Sequence, residues 1–489
     1  MSFGELGTVA LVIYILALTV IAEIAYRARV DTSAGDHFLA GRQLGTFVLF
    51  LTLYATAYSG NSLLGYPGRA YASGYSFIMS TGFMMSIIVV FHVLVPKLRP
   101  AAVTHGFVTP GDWVRHRFAA ESGTSDRSRR ALVLAVGILM SIALVNFLLA
   151  QLKAMGHVAS IVTDGAVPYE FGVAGLAGFI LFYETRGGMR AVAWTDAVQG
   201  ILMLIGLGTL FWWILSEAGG MGAVTREVAI QRPAAVAVPD ARTCAGWFST
   251  VALLGLGSVI YPQAIQRIYA ARDGRSLVNS FALMSFMPLA TTLVVTLIGI
   301  AGIAMLGDLV GHESDEVLPL LLSKWAKPGG VGQIGAVVVF VGALAAIMST
   351  ADSCLLSLGA MVAGDLLGHS GSDPTAARRG KRFAAALLLA MIPLAFLEDF
   401  SLWRLIELKM ELLIQCVPAF LLAIHWRGQR ADATLAGLVV GTVLSVGLTF
   451  AGMPRIFGVH AGIIGLVVNT IVVVVGSKMR TGEVEQYER

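Results

Sequence analysis

Apolar stretches long enough to cross a bilayer recur along nearly the whole chain, and few folds accommodate that pattern. A helix needs roughly 20 residues to span the hydrocarbon core. By that rule thirteen candidate spans emerge, at about residues 6–26, 45–72, 75–96, 130–155, 168–184, 190–216, 244–270, 276–307, 333–364, 381–397, 401–426, 431–452 and 456–477. Only 13% of the 489 residues are charged and 56% are hydrophobic, whereas a soluble globular chain carries about 25% charged residues. The expectation is an all-α, polytopic membrane protein. The first stretch follows an N-terminus without Lys or Arg and has no small-residue cleavage site, so it reads as a retained helix and not a signal peptide.

Charge placement fixes an expected topology. With the N-terminus outside and the C-terminus cytoplasmic, 24 of the 34 Lys and Arg residues fall on the inner side, Arg190 and Arg267 among those counted in inner loops, a strong positive-inside bias. Because the basic residues form short clusters between apolar stretches, the pI near 9.0 reports topology and not a nucleic-acid partner. Cys244, Cys354 and Cys416 give neither a disulfide framework nor a zinc pattern. His92, His105, His157 and His425 are separated by whole spans, and the sequence contains no HExxH motif or nucleophile elbow. No enzymatic constellation is legible.

Two of the apolar spans are interrupted. The first runs Leu51-Thr-Leu-Tyr-Ala-Thr-Ala-Tyr-Ser-Gly-Asn-Ser-Leu-Leu-Gly-Tyr-Pro-Gly68 and the second contains Gly255-Leu-Gly-Ser-Val-Ile-Tyr-Pro262. Broken helices survive at membrane depth where the freed backbone groups line a cavity or bind something. Counted from the second span, the breaks open two successive groups of five helices. Five is odd, so the groups lie in opposite orientations, as inverted repeats do around a central site. Two unrelated kinks are the alternative.

A third segment, Ala346-Ile-Met-Ser-Thr-Ala-Asp-Ser353, carries oxygen-bearing side chains at helical spacing. Ala346, Ser349, Thr350 and Ser353 follow i, i+3, i+4, i+7 and share a face. If the first break lies near Ala55 to Gly60, the carbonyls of Ala55 and Tyr58 lose their helical partners and can face the same ion. Hard cations take oxygen ligands, and neutral oxygens without a carboxylate suit a monovalent ion. Sodium fits this set best; hydroxyls that only bond the preceding turn or join two helices are the competing reading.

The segment Gly187-Gly-Met-Arg-Ala-Val-Ala-Trp-Thr-Asp-Ala-Val-Gln199 closely resembles the signature of the sodium:solute symporter family. So do Gly65-Tyr-Pro-Gly-Arg-Ala-Tyr-Ala-Ser-Gly74, the segment Ala346–Ser353 and Pro418-Ala-Phe-Leu-Leu-Ala-Ile-His-Trp426, and the resemblance extends from about residue 6 to Trp426. It implies the leucine-transporter fold with two inverted five-helix repeats: an extra N-terminal helix and loop in 1–44, a core in 45–426 with repeats at about 45–216 and 244–426, and two C-terminal helices and a tail in 427–489. It also implies alternating access driven by a sodium gradient and, with the compact loops, a cell inner (plasma) membrane as the location. Carried over by motif, the shared sodium site falls on the carbonyls of Ala55, Tyr58 and Ala346 and the hydroxyls of Ser349 and Thr350. Asp196 matches an acidic residue near the inner sodium route. Asp352 and Ser353 match positions that hold a second sodium in some relatives, although Asp352 replaces a serine. Three roles stay open for Asp196 and Asp352: a second ion site, a shared proton, or counter-ions to inner-face arginines.

In this fold the solute sits beside the broken helices. Candidates are Ser59, Asn61 and Ser62 after the first break, Tyr261 and Gln263 at the second, Gln151 on the fourth span, and Glu411 and Gln415 on the eleventh. Glu407 and Glu411 share a helical face, expected to line an aqueous vestibule, with Lys409 off it. Lys153 and Lys409 could attract an anion, which favours a monocarboxylate, pantothenate or an amino acid over a neutral sugar. The reading is a sodium-coupled symporter importing a small organic solute; a proton-coupled transporter or a solute sensor on the same fold is the alternative. The sequence carries no sign of its oligomeric state.

Overall fold

The computed structural model describes residues 2–119, 125–307, 309, 316–326, 330–368, 374–396 and 402–487. The chain enters α1 (Phe3–Arg27), where the Ser2 hydroxyl accepts from Glu5 N at 3.2 Å and Glu5 Oε2 accepts from Ser2 N at 2.9 Å, a reciprocal cap. Helix α1 buries Leu11, Leu18 and Ala22 and leaves Ile13, Leu16 and Val20 exposed. An apolar face turned away from the protein suits lipid and not water.

Short α2 (Ala34–Leu39) leads to α3 (Thr46–Ala57), which stops at the expected first break. A π-helical turn, Asn61–Gly65, then opens α4 (Tyr66–Ser73), followed by α5 (Met79–His105), α6 (Pro110–Ala119) and α7 (Asp126–Val162). The spans expected at 168–184 and 190–216 are the two arms of α8 (Tyr169–Ala218), which bends at Gly188 with φ 55° and ψ −150°. Only glycine tolerates that backbone readily, and a Cβ at Gly188 would stand 2.4 Å from both Nδ1 and the carbonyl oxygen of His37. Helix α2 is thereby seated against the elbow of α8.

After α9 (Met221–Gln231), helices α10 (Ala241–Val259) and α11 (Pro262–Ala270) meet at 49° around Ile260 and Tyr261. Pro262, lacking an amide hydrogen, fits the first turn of a helix and not its interior. The chain continues through α12 (Gly274–Met284), α13 (Val294–Leu306), α14 (Val317–Trp325), α15 (Val331–Met361), α16 (Pro374–Ala395), α17 (Leu402–Leu413), α18 (Ala423–His425) and α19 (Ala431–Phe450). A two-residue antiparallel pair, β1 (Arg455–Ile456) with β2 (Val459–His460), precedes α20 (Ala461–Tyr487).

Nine helical stretches among the described residues are long and apolar enough to cross a membrane, or ten if the bent α10–α11 pair counts as one. That count does not reach the expected thirteen, because α3 is too short by itself, the two arms of α8 count once, and α16, at the span expected at 381–397, carries Arg378, Arg379, Lys381 and Arg382 in its first half. Helix α15 is the centre of the bundle. It packs on α8, α7, α16, α1, α3 and α11, and 83% of its most apolar window is buried against 28% for α1. Small residues make this possible: a Cβ on Gly342 would meet the Leu202 carbonyl at 3.1 Å, so the backbones of α15 and α8 run close together.

Candidate ion and solute sites

Ser349, Thr350, Asp352 and Ser353 are all buried on α15. Thr350 Oγ1 donates to the Ala346 carbonyl at 3.1 Å, and Ser353 Oγ to the Ser349 carbonyl at 2.6 Å. The Ser349 hydroxyl is buried beside the Asp196 carboxylate and makes no close hydrogen bond among the described residues. Across from this face α3 ends: the Ser62 amide turns to the Ser59 carbonyl at 2.8 Å, and no amide among the described residues closes a turn on Ala55. Thr56 Oγ1 lies 3.4 Å from Ser353 Oγ, which brings the break against α15. The Ser349 hydroxyl, with the Ala55 carbonyl released from its helix on the facing break, is a donor set that fits sodium.

One turn away lies a second polar cluster, and it contains a residue the sequence reading did not place there. Arg267, counted among loop basics, is fully buried on α11. Its Nη2 donates to Asp196 Oδ2 at 2.9 Å and to Ser353 Oγ at 2.6 Å, its Nε to Thr52 Oγ1 at 2.8 Å, and its Nη1 to the Gln263 carbonyl at 3.1 Å. The Thr52 hydroxyl in turn donates to Asp196. Asp352 accepts from Tyr183 OH at 2.5 Å and stands 3.2 Å from Ser353 Oγ. The available signal was position: Arg267 is six residues past Tyr261, within the span expected at 244–270. Arg190, also assigned to a loop, is likewise buried and is paired with Asp36 at 2.8 Å.

Beside the two breaks lies a cavity of about 80 Å³, walled by apolar and aromatic side chains from α5, α10 and α12, with Phe147 of α7. Ser59, Ser62, Tyr261, Gln263, Arg267 and Lys409 are among the polar residues that line it, with the hydroxyl-bearing Thr56, Tyr58, Tyr66 and Ser258, and no Asp or Glu lines it among the described residues. Both amide atoms of Gln263 and the Tyr261 hydroxyl are buried without partners there. Lys409, only 2% exposed, holds Nζ 2.9 Å from the Phe147 ring centroid and 5.3 Å from that of Tyr261. The two rings stack with centroids 5.7 Å apart.

The other candidates are engaged elsewhere. Gln151 Oε1 accepts from the Gly60 amide at 3.2 Å, holding the broken backbone. Glu411 accepts from Thr449 at 2.9 Å, and Gln415 Nε2 donates to the Gly462 carbonyl at 2.8 Å, so both face α19 and α20. Glu407 pairs with Arg455 of β1. Thus Lys409, and not the carboxylates flanking it, is the polar residue of α17 that lines the cavity among the described residues, next to apolar Met410. Lys153 does not line it, and the side chain of Asn61 lies outside the described residues.

The model of the sodium:solute symporter family matches residues 37–441. The chain belongs to the sodium:solute symporter family. This symporter is similar to the sodium/pantothenate symporter of Escherichia coli (strain K12), with 26% identity over 96% of each chain. It is 24% identical to the sodium/proline symporter of Staphylococcus aureus (strain JH9), over 96% of this chain and 92% of that one. Among solved structures, a Na⁺-coupled sialic acid symporter in a substrate-bound outward-open state superposes with a TM-score of 0.78 at 17% identity, covering 98% of both chains. The closed form of Mhp1, a nucleobase-cation-symport-1 family transporter, gives 0.58 at 16% identity. The symporter therefore has the leucine-transporter fold, is a multi-pass membrane protein and uses sodium as its coupling ion.

Proposed function

We propose that this symporter imports a small monocarboxylate together with sodium, the solute's carboxylate meeting the Lys409 ammonium. The observation that carries this reading is a buried lysine with no acid beside it in a cavity next to both breaks. Leaving an ammonium desolvated and unpaired is expensive, and a bound anion removes that penalty. The ring faces of Phe147 and Tyr261 offset part of it in the absence of solute. Gln263 and Tyr261 offer unspent donors to the same carboxylate, and the apolar wall suits a hydrocarbon body.

Size narrows the class. One water needs roughly 10–15 Å³ by this measure of volume, so about 80 Å³ holds a handful of non-hydrogen atoms. A solute as large as pantothenate would need the wall to open, and an amino acid would bring a second ammonium into a cavity without acids. Sodium is assigned to the Ala55, Tyr58 and Ala346 carbonyls with the Ser349 and Thr350 hydroxyls. Filling both sites while the cavity faces outward, then rocking the bundle, would deliver both to the cytoplasm, each ligand raising the other's affinity. The positive-inside bias supports an N-terminus outside and a cytoplasmic C-terminus.

The test is thermal stability of the detergent-purified protein with carboxylates, amino acids, sugars and vitamins, each in sodium or in potassium. A ligand of the folded state raises stability by mass action. A short-chain carboxylate that stabilises in sodium and fails in potassium supports the reading. Stabilisation by a neutral sugar with none by carboxylates overturns it.

A further inference from the structure

We propose that the Arg267 guanidinium is this symporter's second cation, built into the chain, so that only one sodium binds in each cycle. This rests on the sodium assignment to Ser349 and Thr350 made above. The second ion that Asp196, Asp352 and Ser353 suggest from sequence would need those oxygens in its shell. Arg267 Nη2 already stands 2.9 Å from Asp196 Oδ2 and 2.6 Å from Ser353 Oγ, while Nε takes the Thr52 hydroxyl at 2.8 Å. An ion coordinated by Asp196 Oδ2 and Ser353 Oγ would touch the guanidinium nitrogen, and two positive charges in contact in a buried site repel strongly. Arg267 does not engage Asp196 Oδ1, and the carboxylate lies beside the Ser349 hydroxyl, so that oxygen belongs to the surroundings of the first sodium. Asp352, the other acid of the cluster, has Tyr183 OH on one oxygen at 2.5 Å and Ser353 Oγ at 3.2 Å from the other.

The placement is fixed from several sides. Thr52 comes from α3, Asp196 from α8, Ser353 from α15 and Arg267 from α11, so four helices converge on one planar cation. Its five donors and permanent charge suit that role, since an arginine does not lose its proton in a protein. Arg267 also borders the solute cavity. It therefore supplies from α11 the positive charge that a second sodium would otherwise carry into the oxygen cluster.

Counting ions tests this without any solute. Equilibrium binding of ²²Na⁺ to the purified protein should saturate at one ion per chain without cooperativity. Melting temperature should rise with the logarithm of sodium concentration at the slope of a single site. Two ions per chain in the unaltered protein would overturn the proposal and leave the Ser349 and Thr350 assignment standing. The double substitution Ser349→Ala with Thr350→Ala should remove the single ion. If that ion persists, it sits elsewhere, and both the assignment and the proposal fail. Arg267→Ala exposes the Asp196, Ser353 and Thr52 oxygens, and its slope should double as a second sodium enters; Arg267→Lys should keep the single-ion slope. A folded Arg267→Ala protein that still binds one ion would mark the arginine as a structural pair only and overturn the proposal. If Arg267→Ala does not fold, the count in the unaltered protein decides.

Discussion

Arg267 and Asp196 form an ion pair at 2.9 Å in which both side chains are completely buried. They lie 71 residues apart, on α11 and α8, and tie a helix that follows one break to the signature segment of the family. Removing one partner from such a pair leaves an uncompensated charge and costs roughly 3–5 kcal/mol. Asp196→Asn should therefore lower the melting temperature sharply, even in potassium, where no sodium effect contributes. A melting temperature equal to that of the unaltered protein would show that the pair carries no stability.

Lys409→Met keeps the length and apolar stem of the side chain and removes its charge. A hydrogen bond to a charged group contributes about 1.5–3 kcal/mol, so carboxylate affinity should fall roughly tenfold to a hundredfold. Solute titrations in saturating sodium measure this directly. The sodium slope without solute should stay as it was, because Lys409 is no part of the ion site.

Gly188→Ala addresses the elbow of α8. Its φ of 55° with ψ −150° is a backbone region that costs about 1–3 kcal/mol for other residues, and the added Cβ would overlap His37 at 2.4 Å. Low yield of monodisperse protein is expected, measured by size exclusion against a neighbouring control such as Gly175→Ala, where a Cβ meets nothing within 4 Å.

His37, in the short helix outside the apolar spans, gives a pH dependence with a defined sign. Burial first, and then the positive charge of Lys381, hold its imidazole well below the ordinary value of 6.5. The unfolded chain therefore takes up the proton first as pH falls. The stability contributed by neutral His37 is complete above about pH 6.5 and is lost below it. Melting temperatures between pH 5 and pH 7.5 should show that loss, and His37→Asn should make the profile flatter.

Much was legible in the sequence alone, for local reasons. Hydropathy and charge marked a multi-pass membrane protein, because a bilayer sorts each stretch of about 20 residues by its own composition. The two breaks could be read because Gly, Pro and hydroxyl residues disturb a helix where they stand. Ser349, Thr350 and Ser353 could be assigned to one face because helical periodicity is fixed. The tertiary structure decided which partner each buried polar group found. Among residues that looked equivalent along the chain, Gln151 went to the Gly60 amide, Glu411 and Gln415 to the C-terminal helices, and Lys409 to the cavity. Arg267 read as a loop cation and is instead the centre of a four-helix cluster. A polar group in a membrane interior must be satisfied within the protein, and its partners here come from helices distant in sequence. Which helices lie adjacent is a property of packing that no local stretch of residues encodes.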